Sequence, residues 1–394
     1  MTAIAAGLPH AALILASLAL FRALPVLGYL AVSLRWSRRL AILLFFGGVV
    51  ALGVRADPGL ARFLVGIAAG CGYLIAVAAL LYRVAPRLPL RAIRLGAVLV
   101  PAAVLCVLLP GVCRGWLPLG VIAIGWETML SAHSYFIDTA AQPRCWRGYL
   151  FFVFVDPTVV FRERGVRIGD PRLDLRGVLR IAAGLLAMLG HDAILLAMVW
   201  LAPRAGYLGF LRTQVPLGIA LYCAHSGLAS LQIGYLRCLG YRLPERYRYP
   251  LFATSPQDFW HRWNTWIGRW GYRYLFLPLG LSLPWRGRGR ALLAALATFG
   301  VIGALHDLAI YAMRGGAPAP RMTLVFLAAA LAFPAFAPIQ RALKHAPRRL
   351  APILAWLLWF HLGLGLAWLA IPVLRDNRLP FEAPPRSALV AHNG

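Results

Sequence analysis

The sequence predicts an all-α polytopic membrane protein with about ten transmembrane helices. Hydrophobic residues make up 61% of the 394 residues and charged residues only 13%, whereas about a quarter of a soluble globular protein is charged. Long apolar runs recur along the chain. Since they lack the alternating pattern of β-barrel strands, we predict that they cross the bilayer as helices.

Each predicted span has about the 20 apolar residues that a bilayer-crossing helix needs. The runs lie at 10–34, 39–54, 60–82, 95–113, 116–140, 178–202, 213–236, 290–313, 321–340 and 350–374. The first is interrupted by Arg22 and Pro25, and the second is short. With no repeat or long linker, the pattern predicts a single membrane domain over 1–374, followed by a polar tail over 375–394 with little structure.

Two long loops separate the central spans. The loop at 141–177 contains the apolar run Tyr149–Pro157, which is too short to cross the bilayer and predicts a re-entrant or interfacial segment. The loop at 237–289 contains a Trp- and Arg-rich stretch over 255–274. Both loops are therefore candidates for membrane-surface structure.

The basic residues behind the net charge of +27 are concentrated in particular loops. Most Lys and Arg residues fall in loops that are cytoplasmic if the N-terminus lies outside, as the positive-inside rule requires. We therefore predict a lipid-bilayer partner and no nucleic acid. Heavy use of Ala, Gly, Pro and Arg is typical of a GC-rich bacterial genome. We expect a multi-pass protein of the bacterial cytoplasmic membrane. The six Cys form no Cys-x-x-Cys pair, so no metal site is predicted.

The Trp-rich stretch predicts an amphipathic helix at the membrane surface. At 100° per residue, an aromatic and apolar face spans about 80° and Arg side chains lie opposite. Asn264 projects at the edge of the aromatic face. An interfacial anchor explains this pattern as well as a functional site does, but a polar amide in apolar surroundings needs a partner. The aromatic face consists of Trp260, Trp263, Ile267, Trp270 and Tyr274, and the opposite side of Arg262, Arg269 and Arg273.

Ionisable residues inside membrane spans are functional candidates, although helix bundles also pair them for structural reasons. His306 stands out because Gly300, Gly303 and Ala304 precede it and allow close approach of another helix or a substrate. Since consecutive helical residues point about 100° apart, we expect neither Asp307 to orient His306 nor Asp192 to orient His191. The candidates are Glu127, His133, Asp138, His191, Asp192, His225, His306, Asp307 and His361.

Four stretches in order resemble the membrane-bound O-acyltransferase (MBOAT) family, most closely its bacterial branch of alginate O-acetylation and lipoteichoic acid D-alanylation. They are His133–Asp138, Phe152–Pro157, a central stretch in three pieces (Gly240–Pro250, Ser255–Asn264 and Tyr274–Gly280), and the span with His306. The likeness covers roughly 130–310. The chain departs from the bacterial branch at two places. Asn264 stands where that branch usually has His, and Leu305-His306-Asp307 replaces the family's Trp-His-Gly.

The resemblance implies an acyltransferase that moves an acyl group, acetyl foremost, from acyl-CoA or another cytosolic thioester. The acceptor would be a hydroxyl of an envelope glycan, lipid or secondary metabolite. His306 would be the general base and Asn264 would polarise the thioester or hold the acceptor. No bound cofactor is implied, and for this branch a periplasmic acyltransferase is a candidate partner. The residues predicted to bind substrate are Asp258, Trp260, Arg262, Trp263, Arg269 and Asp138.

Two other function classes fit the same residues. In a transporter or flippase, buried His and Asp side chains would relay protons or bind a solute. In a non-catalytic assembly subunit, Leu305 and Asp307 would mark a site that keeps the fold without the activity. Incorporation of labelled acyl groups would distinguish the enzyme from both the transporter and the assembly subunit.

Overall fold

The computed structural model describes residues 72–90, 96, 101, 104, 117–140, 143–170, 174–200, 206–284, 287–314, 320–347 and 349–376. The predicted spans 10–34 and 39–54, and most of 60–82 and 95–113, lie outside these ranges. So does the tail from 377 onward. The number of ten spans, the single domain and the N-out orientation therefore stay predictions.

The described chain is mostly helical, as predicted. Helix α1 covers 72–84, α2 Leu117–Asp138, α3 Trp146–Phe154, α4 Leu175–Trp200 and α5 Gly206–Cys238. The next helices are α6 Pro256–Arg262, α7 Thr265–Gly271, a π-helical turn Tyr272–Phe276 and α8 Leu277–Ser282. The last are α9 Arg288–Arg314, α10 Arg321–Leu343 and α11 Ala351–Asp376. Short 3-10 turns lie at Ala85–Arg87, Phe161–Glu163 and Pro250–Phe252.

Three helical stretches in the described ranges are long and apolar enough to cross a membrane: Leu175–Ile194, Arg288–Tyr311 and Arg321–Leu343. A fourth apolar stretch, Ala351–Gly363, is shorter. Each of the six predicted runs from 116 onward corresponds to one helix, α2, α4, α5, α9, α10 or α11. Their apolar length is set by the bilayer, which is why the sequence alone located them.

The all-α prediction missed one small sheet. Strands β1 (Val166–Arg167) and β2 (Tyr241–Arg242) pair antiparallel, with Val166 opposite Arg242. Gly240 makes this pairing possible because its φ is +85° and a Cβ there would lie 2.1 Å from the carbonyl oxygen of Gly169. Two-residue strands leave no periodic pattern in a sequence, so this contact could not be predicted.

The chain forms two compact units, of which the first comprises residues 1–162, 307–319 and 375–394. Its described core joins α1, α2 and α3 around Tyr135, Phe136, Tyr149 and Phe152. The hydroxyl of Tyr149 donates to the carbonyl of Ala78 at 3.0 Å. The apolar run that was predicted to be re-entrant or interfacial thus forms the short helix α3, with its aromatic side chains buried against α1 and α2.

The second unit comprises Glu163–His306 and Pro320–Leu374. Helices α4 and α5 pack through two glycines on each helix. A Cβ on Gly184 would lie 2.8 Å from the carbonyl oxygen of Gly227. A Cβ on Gly234 would lie 2.6 Å from the carbonyl oxygen of Gly177. Small residues at seven-residue spacing allow backbones to approach this closely. A second cluster joins α10 and α11 through Phe336 and Trp359.

Candidate active site

The predicted amphipathic helix over 256–274 is wrong in one respect, because the chain breaks in its middle. Helix α6 ends at Arg262, Trp263 is extended, and Asn264 adopts the left-handed conformation with φ of 42° and ψ of 57°. The single aromatic face inferred from 100° periodicity therefore does not exist. Asn is one of few residues that visit this conformation readily, and periodicity carries no signal for it.

The preceding segment holds the break in place. The Thr265 amide donates to the Arg246 carbonyl at 2.8 Å, and the Thr265 hydroxyl donates to the Glu245 carbonyl at 2.6 Å. The indole N–H of Trp266 donates to the Pro244 carbonyl at 3.1 Å. Residues 244–246 thus satisfy donors at the start of α7, where a helix has no partners of its own.

Arg246 engages the side chain of Asn264. Its Nε donates to Asn264 Oδ1 at 3.0 Å, and its guanidinium lies over the ring of Trp266 at 5.0 Å. Because the amide oxygen is turned toward Arg246, the NH₂ group is turned away from it, and this group can only donate. This favours binding of a carbonyl oxygen over activation of a hydroxyl.

His306 lies in α9 with a defined ring orientation. Its Nδ1 is 2.8 Å from the carbonyl oxygen of Ile302, and its ring packs on Phe326 of α10 at 4.8 Å. A neutral imidazole that donates from Nδ1 carries its lone pair on Nε2, which is the arrangement a general base needs. The carbonyl that orients the ring through Nδ1 thus belongs to the same helix, one turn before the histidine.

The small residues before His306 act as predicted. A Cβ on Gly303 would lie 2.5 Å from the Cα of Thr323, so α10 approaches α9 one turn away from the histidine. This approach brings Phe326 onto the imidazole. A larger residue at 303 would push α10 away.

Aromatic side chains connect α6 to His306. Trp260 contacts Phe299 at 5.0 Å and Phe326 at 5.7 Å between ring centroids, and Phe326 covers His306. The indole nitrogen of Trp260 is buried and makes no hydrogen bond within the described part of the chain. Trp263 faces another way, stacking on Phe259 at 5.7 Å.

The charged residues predicted to bind substrate all have protein partners. Asp258 accepts hydrogen bonds from the Thr254 amide at 3.0 Å and from Arg262 Nε at 2.6 Å. Partial burial alone would raise the pKa of Asp258, but these bonds outweigh it and lower the pKa below its usual value. Arg269 pairs with Glu163.

Asp138 lies in the first unit, where it pairs with Arg162 at 3.3 Å. In the second unit, the expectation that Asp192 cannot orient His191 is wrong, since His191 Nδ1 and Asp192 Oδ1 are 2.9 Å apart. Side-chain torsions of neighbouring residues can close the angle between their Cβ directions. His225 and His361 instead contact carbonyls of their own helices.

Sequence reasoning missed Arg246 and Phe326. Arg246 stands beside Tyr247 in a run that the family resemblance covers, but its tie to Asn264 spans 18 residues and a helix break. Phe326 is one of many aromatic residues in apolar spans. Only the packing of α9 against α10 distinguishes it.

Comparison with known proteins agrees with the resemblance. Residues 201–367 match the membrane-bound O-acyltransferase family model. A peptidoglycan O-acetyltransferase of Helicobacter pylori is 26% identical over 178 residues, covering 40% of this chain and 27% of the relative. A probable alginate O-acetylase AlgI of Pseudomonas putida is 33% identical over 60 residues, covering 15% of this chain and 12% of the relative.

The chain thus matches about a quarter or less of the length of these relatives. The family resemblance predicted from the motifs is confirmed over 201–367, a segment that contains Asn264, Trp260 and His306. Both of these relatives are named as O-acetylating enzymes.

Proposed function

We propose that this chain is a membrane-embedded O-acyltransferase that moves an acyl group, acetyl foremost, from a cytosolic thioester such as acyl-CoA to a hydroxyl of an envelope glycan, lipid or secondary metabolite. The observation that carries the proposal is the imidazole of His306, whose Nδ1 is tied to the Ile302 carbonyl at 2.8 Å. We place the chain in the bacterial cytoplasmic membrane with its N-terminus outside.

The reaction needs one proton carrier. Nε2 of His306 takes the proton of the acceptor hydroxyl while the oxygen attacks the thioester carbonyl carbon. The tetrahedral intermediate then breaks its C–S bond, and the thiolate leaves with the proton from the imidazolium. No net proton is released, so a single histidine suffices. Positioned general-base catalysis contributes about 10²–10⁴-fold.

The developing oxyanion needs a donor. The NH₂ group of Asn264 is suited to this because Arg246 engages the amide oxygen and so fixes the direction of the amide. One oxyanion donor contributes about 10²–10³-fold in rate. The anionic acyl-CoA is attracted by the Arg-rich loops 144–180 and 237–290 on the side that the positive-inside rule makes cytosolic.

The test compares the native chain with His306→Ala and His361→Ala in membranes of a host that lacks the protein. His361 is a matched control because its Nδ1 also contacts the carbonyl four residues earlier, at 2.7 Å from Leu357 O. Radiolabel from acetyl-CoA and long-chain acyl-CoA is followed into lipid and envelope glycan, with an extract of the native host envelope supplied as acceptor.

We expect transfer by the native chain and by His361→Ala, and a loss of about 10²-fold or more in His306→Ala. Equal transfer by all three would contradict the role of His306. No transfer by the native chain would favour the transport or assembly alternatives. The labelled fraction identifies the acceptor class.

A further inference from the structure

His225 of α5 is an imidazole that the proposed reaction does not use. Its Nδ1 is 2.7 Å from the carbonyl oxygen of Leu221, and the side chain is exposed. As at His306, a proton on Nδ1 places the lone pair on Nε2. Nε2 makes no hydrogen bond to any residue that the structure describes. His225 thus presents an accessible hydrogen-bond acceptor.

The packing of α4 against α5 does not require this histidine. Gly227 and Gly234 form the α4-facing stripe of α5, and at 100° per residue His225 lies about 160–180° away from both. A polar ring within an apolar helix is costly unless it is used. Helix packing therefore leaves the identity of residue 225 unexplained.

His225 instead faces the segment that carries Asn264. Its ring contacts Trp263, the residue before Asn264, at 5.9 Å and Tyr247, the residue after Arg246, at 6.3 Å. Trp263 and Tyr247 contact each other at 5.2 Å, so both rings flank the imidazole. His225 also interacts electrostatically with Arg246 and His306. Since Arg246 contacts Asn264, His225 lies within electrostatic reach of that contact and of His306.

We propose that Nε2 of His225 accepts a hydrogen bond from an acceptor hydroxyl other than the one that reacts, so that the acceptor is a molecule with at least two hydroxyl groups. This inference rests on the proposed function. A hydroxyl has one proton, and His306 takes the proton of the reacting hydroxyl. A second imidazole acceptor at the same site therefore needs a second donor, which we assign to another hydroxyl of the acceptor molecule. The rings of Trp263 and Tyr247 supply apolar walls beside it.

The test varies the concentration of native-host envelope extract at fixed acetyl-CoA, using the full chain in membranes. His225→Phe keeps an aromatic ring against Trp263 but removes the acceptor nitrogen, and His225→Asn restores an acceptor oxygen. His361→Phe is the matched control. For each chain the melting temperature, the apparent KM for extract, the KM for acetyl-CoA and acceptor-free thioester hydrolysis are measured.

We expect the apparent KM for extract to rise about tenfold in His225→Phe, which is the effect of about 1.4 kcal/mol from one lost hydrogen bond. The KM for acetyl-CoA and the hydrolysis rate should not change, and His225→Asn should recover part of the loss. A merely structural role would lower the melting temperature and both reactions together.

An unchanged KM for extract in folded His225→Phe would overturn the inference while leaving the proposed function intact. Equal changes in both KM values would do the same. A labelled product with no second hydroxyl, determined by mass spectrometry, would also overturn it. No transfer by the native chain would overturn the proposed function, and this inference with it.

Discussion

Replacing Asn264 by aspartate, glycine and alanine separates the three things this residue does. Its backbone is left-handed at φ 42°, its Oδ1 accepts from Arg246 at 3.0 Å, and its NH₂ group can donate to a substrate. Aspartate keeps the first two, glycine keeps only the first, and alanine keeps none. The series therefore tests each role against a matched variant.

The magnitudes follow from these contacts. A hydrogen bond to a charged group contributes about 1.5–3 kcal/mol, and both Asn264→Gly and Asn264→Ala lose it. A residue with a Cβ costs about 1–2 kcal/mol more in the left-handed conformation, and glycine avoids that cost. Asn264→Ala should thus unfold more easily than Asn264→Gly by about 1 kcal/mol or more.

The order of stability among the variants is measured as the melting temperature of the purified chain in detergent, with Trp fluorescence as the signal. We expect Asn264→Asp to melt near the native temperature, Asn264→Gly lower, and Asn264→Ala lowest. Acyl transfer should fall about 10²-fold in Asn264→Asp because a carboxylate lacks the donor. An alanine variant as stable as the glycine variant would refute the left-handed assignment. An aspartate variant as unstable as glycine would refute the bond from Arg246.

Three further variants test the helix packing, the ion pair of Asp258 and the buried indole of Trp260. Gly184→Leu should lower the melting temperature and cost about 1–3 kcal/mol or more of folding stability, because its Cβ would lie 2.8 Å from the Gly227 carbonyl oxygen. Gly190→Ala is the control and should leave the melting temperature nearly unchanged, since no atom lies within 4 Å of its added Cβ. Asp258→Asn should reduce stability at pH 7, because a lowered folded-state pKa stabilises the native chain above the unfolded pKa of about 4. That difference should vanish as the pH falls through the folded pKa, measured as melting temperature against pH. Trp260→Phe removes a buried N–H that makes no hydrogen bond among the described residues, whereas Trp266→Phe removes one that donates to the Pro244 carbonyl at 3.1 Å. Both variants lose ring area, so the melting temperature should fall less in Trp260→Phe. An equal or larger fall in Trp260→Phe would contradict this reasoning.

The helices could be predicted because bilayer thickness sets one length for all of them. The run 290–313 and helix Arg288–Arg314 agree within two residues at each end. His306 could be selected because a histidine in an apolar span next to small residues is unusual.

The site itself could not be predicted in the same way. Periodicity suggested one helix through 255–274, whereas Thr265 and Trp266 donate hydrogen bonds to the carbonyls of residues 244–245, and these bonds hold a break at Asn264. Arg262 and Arg269 looked available for an anionic substrate, but each pairs with a carboxylate. Charge partners that are distant in sequence leave no local signal, so their pairing is decided only when the chain folds.

The sequence by itself determined the membrane class, the positions of the described long helices, the family resemblance and the choice of His306. Those features depend on composition, on a fixed helix length and on local residue order, which do not require knowledge of contacts. The tertiary structure alone decided the tautomer-setting bond of His306, the tie between Arg246 and Asn264, and the exposure of His225 beside Trp263. Each depends on where a side chain points after helices pack, and a linear pattern does not contain that direction.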